Sequence, residues 1–217
     1  MGLNLTLTNV VKHSNAKAAL DRCSVSFDHG AVHVLMGPNG SGKSTLLRVC
    51  SLLEPFDNGE LLYRSADAAL PLDLALRRRI CLVLPRVGVF NTTVYKNVAY
   101  GLSVRGIKKK DQLEQVNEAI DAVGLSTKRT ENALTLSSGE TQRLGIARAM
   151  AIEPEILFLD EPTASIDEEN TLMVEDIIKR LRQAGKTTVI MTTHDRDQAV
   201  RLADRVIMMR SGRIVEK

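Results

Sequence analysis

Three short stretches carry the residues most able to do chemistry. The first is Gly37-Pro38-Asn39-Gly40-Ser41-Gly42-Lys43-Ser44, continued by Thr45. It fits GxxxxGK[ST], with strand-forming residues before it and helix-forming residues after it. Glycines at this spacing let backbone N–H groups turn inward and surround phosphate oxygens. The helix N-terminus adds positive potential. Lys43 places a point charge on the β- and γ-phosphates of a nucleotide, and Ser44 offers a hydroxyl to Mg2+. The second stretch, Ile156-Leu157-Phe158-Leu159-Asp160-Glu161-Pro162, is an apolar strand ending in two carboxylates. Beside a phosphate loop, Asp160 can hold Mg2+ through water while Glu161 polarises an attacking water. Alternation along an extended chain points the two side chains in different directions, so each can have its own task. The third stretch is Leu136-Ser137-Ser138-Gly139-Glu140-Thr141-Gln142-Arg143. Its Ser137-x-x-Glu140 is a capping box that starts a helix, whatever else the segment does.

Strands alternating with helices must position these residues. Leu3, Leu5 and Leu7 alternate with polar neighbours, as do Cys23, Val25 and Phe27, so the chain opens with a small antiparallel layer. Val32–Met36 forms a buried strand that feeds the glycine loop, and residues 43–53 form a helix. Asp57-Asn58-Gly59 carries turn chemistry. Ile80–Leu84 is an apolar strand stopped by Pro85. From Val94 to about Met150 the signals are helical. Leu113, Val116, Ile120 and Val123 share one face, and Gly124 stops that helix. After Ile156–Leu159, Asp167 caps a helix whose apolar positions are Val174, Ile177, Ile178 and Leu181. Thr187–Thr192 is a strand that ends near His194, and Arg196–Ala203 is a helix. Strand Val206–Met209 and a last short strand follow. The expected fold is α/β: a P-loop NTPase (RecA-like), mostly parallel sheet, with an N-terminal antiparallel β layer. One domain spans 1–217, and a helical subdomain over 87–150 is inserted in it.

Composition removes other classes. The chain has 217 residues and a formal net charge of +3, too weak to imply nucleic acid. Four Phe, three Tyr and no Trp are too few for a base-stacking platform. No apolar run reaches the roughly 20 residues of a membrane span, and the N-terminus lacks an export signal. Cys23, Cys50 and Cys81 lie far apart and read as small apolar residues in a reducing compartment. The four histidines show no metal-ligand spacing, so no metal site made by side chains alone is expected.

Taken in order, these stretches resemble the ATP-binding subunit of an ABC transporter over nearly the whole chain. Gly37–Thr45 resembles the family's phosphate loop and Asp160-Glu161 its second nucleotide motif. Leu136–Glu140 resembles the signature, which more often reads Leu-Ser-Gly-Gly-Gln. Ser165-Ile166-Asp167 resembles the loop that crosses the dimer, and His194 the switch histidine. The resemblance implies a head-to-tail homodimer with two ATP molecules at its interface. Gly37, Asn39, Gly40, Ser41, Gly42, Lys43, Ser44 and Thr45 of one copy, with Ser137, Gly139 and Asp167 of the other, would bind the nucleotide. Ser44 and Asp160 would hold Mg2+. Glu161, His194 and Lys43 would be catalytic, with Glu161 activating water and His194 touching the γ-phosphate. Partners would be membrane permease subunits, met through Phe90–Gly101, and a substrate-binding protein; nucleic acid would not be one. The chain would sit in the cytoplasm, peripheral on the inner face of the membrane. Its flavour is most similar to importers of small oxyanions such as tungstate, with amino-acid and lipoprotein systems sharing much of the pattern.

Three departures stand against this. Pro85 occupies the place where the family has a Gln that touches Mg2+, and proline offers no side-chain amide. The signature has Ser138 for Gly and Glu140 for Gln. The aromatic that stacks on adenine is missing, because its place falls on or beside Ser14, with His13 the nearest ring. Two other readings are weaker. A non-transport ABC ATPase acting on DNA or ribosomes would carry a long coiled coil or a second cassette. A P-loop kinase or GTPase would leave Ser137–Glu140 unexplained, and no NKxD-like guanine reader is present.

Overall fold

A computed structural model describes residues 2–14, 17–66 and 68–215. The elements in order are β1 (Leu3–Ser14), β2 (Lys17–Phe27), β3 (Val32–Met36), α1 (Lys43–Cys50), β4 (Asn58–Ser65), β5 (Ala68–Leu70), α2 (Leu74–Arg77) and β6 (Ile80–Val83). Then come α3 (Val94–Val104), α4 (Lys109–Ala122), α5 (Ser138–Met150), β7 (Ile156–Leu159), α6 (Glu168–Ala184), β8 (Thr188–Thr192), α7 (Arg196–Leu202), β9 (Arg205–Arg210) and β10 (Arg213–Val215). Chain contacts divide the molecule into two units. The first comprises Met1–Leu82, Glu155–Glu161 and Ile178–Lys217, and the second Val83–Pro154 and Pro162–Ile177.

The first unit holds two sheets. The antiparallel sheet runs β2-β1-β4-β5 and the larger one β10-β9-β3-β8-β7-β6. In the larger sheet β9, β3, β8 and β7 pair in parallel, and β10 returns antiparallel on β9. Burial explains the difference. β3, β7 and β8 are buried at every position, as strands covered on both faces must be. β1 instead buries Leu3, Leu5 and Leu7 and exposes Asn4. The core of this unit joins those leucines to Leu46 and Leu47 of α1 and to Phe158, Ile190 and Ile207.

The second unit is helical. Val98 and Leu102 of α3, Val116 and Ile120 of α4 and Leu144 of α5 are buried. Gly124 and Gly185 close α4 and α6 with φ of 68° and 62°, as the left-handed stop requires.

Several expectations change. Asp57-Asn58-Gly59 is not simply a turn: Asn58 and Gly59 open β4, paired with β1 through Asn58 and Val11. Gly and Asn are poor strand formers, so local propensity hid this strand. Helix α1 stops at Cys50 rather than residue 53, and β6 stops at Val83. Leu113 lies on the exposed side of α4, while Gln112 is buried and donates to the Ile107 carbonyl at 2.6 Å.

Candidate functional site

β3 delivers the chain into the glycine loop, and α1 begins at Lys43. Its N-cap, Gly42, has φ 103°, and a Cβ there would lie 2.5 Å from the Ala19 carbonyl, so only glycine fits. Among the described residues no side chain caps this helix start. The first-turn N–H groups therefore remain for an anion, where the helix end favours negative charge. Lys43 is 5% exposed, and its Nζ donates to the carbonyls of Gly37 (2.8 Å) and Pro38 (3.2 Å). Ser41 is buried, and its Oγ has no hydrogen-bond partner among the described residues. Asn39 and Gly40 are exposed, and Gly37, Ser44 and Thr45 are half-buried. A loop with a buried cation and an orphaned buried hydroxyl is suited to a polyphosphate.

Asp160 follows β7 and is 1% exposed. Its Oδ1 accepts from Ser44 Oγ at 3.0 Å and from Thr192 Oγ1 at 2.8 Å. Two hard oxygens so close, on a hydroxyl and a carboxylate, suit Mg2+, which takes few protein ligands and completes its shell with phosphate and water. Among the described residues no cluster of three or more His, Cys, Asp or Glu could hold a metal alone. Glu161 has φ 46°, and its N–H donates to Thr192 Oγ1 at 2.8 Å. His194 Nδ1 lies 3.9 Å from Glu161 Oε2, with the imidazole largely exposed.

The signature segment lies in the second unit. Ser137 Oγ accepts the Glu140 N–H at 3.2 Å, and Glu140 Oε2 accepts the Ser137 N–H at 2.9 Å, completing the capping box. Burial pushes the Glu140 carboxyl up, but Lys128 (2.8 Å) and Ser137 outweigh it and hold it below its ordinary value. Ser137 and Ser138 are exposed, whereas Gly139 is buried. A Cβ on Gly139 would lie 2.2 Å from Asn170 Cγ. Asn170 Nδ2 donates to both oxygens of Asp167, and Asn170 Oδ1 accepts from Arg143 Nε at 3.0 Å. Arg143 is 5% exposed, and its Nη1 also donates to the carbonyls of Val123 (2.5 Å) and Gly124 (3.2 Å). Asp167 caps α6 by accepting the Asn170 N–H, and this bond above all holds its carboxyl low. Asp167, Asn170 and Arg143 thus form one bonded set with Gly139 packed against Asn170, while Ser137 bonds within its own capping box.

Sequence reasoning missed Thr192, Asn170 and Arg143. Thr192 meets Asp160 and Glu161, and Arg143 meets Asn170, across more than 25 residues of chain, and no local spacing announces that. A polar residue inside the apolar strand Thr188–Thr192 was the available signal for Thr192. Pro85 is exposed. The His13 N–H donates to Asp57 Oδ2 at 2.6 Å, and its Nδ1 lies 3.0 Å from the same oxygen, which holds the Asp57 carboxyl low. In the second unit, Asn97 is fully buried, accepts the Phe90 N–H and donates to the Phe90 carbonyl. Phe90 packs 4.5 Å from Tyr100, both partly exposed, with the Arg148 guanidinium 5.2 Å over the Phe90 ring.

Residues 20–164 match the family model described as ABC transporter. The chain belongs to the ABC transporter family. It is 36% identical over 214 residues to the tungstate uptake system ATP-binding protein TupC of Peptoclostridium acidaminophilum, covering 99% of this chain and 98% of the relative. It is 37% identical over 226 residues to the phosphate import ATP-binding protein PstB 2 of Natronomonas pharaonis, covering 98% and 78%. Among solved structures it is similar to a dimeric ATP-binding cassette in a post-hydrolysis state bound to ADP and Pi. That match has a TM-score of 0.85 and 26% identity, covering 98% of this chain and 97% of that one. The α/β fold with its antiparallel layer is that of the ABC cassette. This ABC chain is the ATP-binding subunit of an importer, and it hydrolyses ATP to power transport. No helix among its described residues is long and apolar enough to cross a membrane.

Proposed function

We propose that two copies of this chain close head to tail on two ATP molecules and drive a separate membrane permease. The observation that carries the reading is the bonded set Ser44–Asp160–Thr192–Glu161 beside a glycine loop with a buried lysine. Gly37–Thr45 would wrap the phosphates, with Lys43 leaving the loop carbonyls for the β- and γ-phosphates. Ser44 and Asp160 would hold Mg2+, which when bound offsets the charge of those phosphates. Glu161 would orient a water whose oxygen bonds to the γ-phosphorus as the bond to the β,γ-bridging oxygen breaks. The water proton passes to Glu161 and ADP leaves. His194, near Glu161, would contact the γ-phosphate. Ser137, at the exposed start of the 13-residue α5, would face the phosphate held by the other copy, with Gly139 and Asp167 behind it. The second unit would act as the helical subdomain, its Phe90–Gly101 segment meeting the permease.

The substrate reading favours a small oxyanion. Tungstate and phosphate name two relatives that cover nearly all of this chain. Import relatives named for methionine and Fe(3+) have similar identity, so the cargo would be set by the permease and binding protein rather than by this chain. The site would face the cytoplasm, with the subunit peripheral to the membrane. With no aromatic before Phe27 and His13 tied to Asp57, the grip would rest on the phosphates. GTP hydrolysis within a few-fold of ATP hydrolysis supports this, and strict ATP preference opposes it. Glu161→Gln tests the core of the proposal. It should abolish hydrolysis and accumulate an ATP-bound dimer on sizing, whereas a wild-type rate would remove Glu161 as the catalytic carboxylate.

A further inference from the structure

Thr192 ends β8, is 0% exposed and makes two bonds with one hydroxyl. A hydroxyl has one proton and two lone pairs. Here the proton goes to Asp160 Oδ1 at 2.8 Å, and a lone pair takes the Glu161 N–H at 2.8 Å. Ser44 approaches the same Asp160 oxygen at 3.0 Å. Glu161 needs such a restraint. Its φ of 46° lies in the left-handed region, which a residue with a side chain occupies only when its surroundings hold it there. Deleting the hydroxyl would leave the part-buried Glu161 N–H and the buried Asp160 carboxylate each short of a partner, and the Glu161 turn free to relax.

We infer that Thr192 is a positioning residue for ATP hydrolysis: its hydroxyl fixes the Glu161 turn against the Asp160 carboxylate. Thr192 touches neither substrate nor water in this account. It acts through its two neighbours, and the inference rests on the roles proposed above for Asp160 and Glu161. Binding of the phosphates falls to Gly37–Thr45, so loss of the hydroxyl should slow turnover without loosening ATP.

The test compares wild type, Thr192→Val, Thr192→Ser and Glu161→Gln in steady-state hydrolysis of Mg·ATP, with nucleotide affinity measured on each. Valine keeps the shape and removes both bonds, while serine keeps the hydroxyl. The expected result is a kcat about tenfold lower or more in T192V, with KM and nucleotide affinity within about twofold of wild type. T192S should regain most of the lost kcat. An unchanged kcat in T192V overturns the inference. So does a T192V that binds nucleotide poorly, which would make the hydroxyl a support of the strand, and so does a T192S as slow as T192V. If E161Q keeps the wild-type rate, the role of Glu161 itself fails and the inference falls with it. An inert E161Q beside a fully active T192V refutes the inference alone.

Discussion

The glycine loop of the first unit and the Ser137 segment of the second are both helix starts, and both are proposed to meet phosphate, yet they are held in opposite ways. Among the described residues, Gly42 begins α1 with no side-chain cap and the buried Lys43 Nζ donates to two loop carbonyls. In the proposed site, phosphate oxygens would replace those carbonyls. Ser137 begins α5 with a complete capping box, and behind it Arg143, Asn170 and Asp167 are bonded to one another and to the end of α4. One start is left open for a ligand, and the other is closed upon itself. In the first, substitutions should cost turnover more than stability. In the second, they should cost stability first.

The largest expected effect is Lys43→Ala, which should lower hydrolysis about 100-fold or more, because the charge on the transferred phosphoryl group goes unmatched. Its thermal midpoint should stay near that of wild type, since no buried carboxylate depends on Lys43 among the described residues. A midpoint lower by ten degrees would erase the contrast. Next, Arg143→Ala should destabilise the fold by about 2–4 kcal/mol, read by denaturant unfolding, because it strips Asn170 Oδ1 and two helix-end carbonyls of their donor. A fully stable variant would mean that the clamp does not hold the segment.

Asn170→Ala sharpens the same point through pH. The Asp167 carboxyl is held below its ordinary 3.8, first by the Asn170 backbone N–H and then by its side chain. A lowered carboxyl contributes stability that is present above 3.8 and lost as pH falls through the depressed value. Asn170→Ala keeps that backbone N–H and removes the side-chain bonds, so the part of the stability gap owed to Asp167 should be present at neutral pH and narrow as pH falls below 3.8. A gap independent of pH would assign it to packing against Gly139 instead. Smaller still is Ser137→Ala, at about 1 kcal/mol for a lost N-cap. The smallest is Pro85→Gln, which should leave Mg·ATP affinity nearly intact and change mainly transport-stimulated turnover. A large gain in affinity would show that the amide is missed.

What could be read from sequence follows the same divide. The glycine loop, the Asp160-Glu161 strand end and the capping box are local patterns, and each lies in the element that its spacing demanded. The antiparallel layer was legible from Leu3, Leu5 and Leu7. Its third strand was not, because Asn58 and Gly59 open β4 with residues that ordinarily make turns. Leu113 looked like core because periodicity counts apolar residues, whereas Gln112 earns burial through the Ile107 carbonyl. The bonds that tune the site join Thr192 to Asp160, Arg143 to Asn170 and Ser44 to Asp160, all far apart in the chain. Such pairs are decided by sheet order and helix packing, which local patterns do not encode.

In the proposed dimer, each ATP site joins the phosphate loop of one copy to the signature segment of another. That arrangement is tested most directly by mixing two inert variants, Lys43→Ala and Ser137→Arg, in equal amounts and measuring hydrolysis. A mixed dimer places both lesions in one site and leaves the other intact. Random pairing makes half the dimers mixed, so activity should return to roughly a quarter of wild type. A mixture as inert as its parts, with mixed dimers shown to form, would contradict the account.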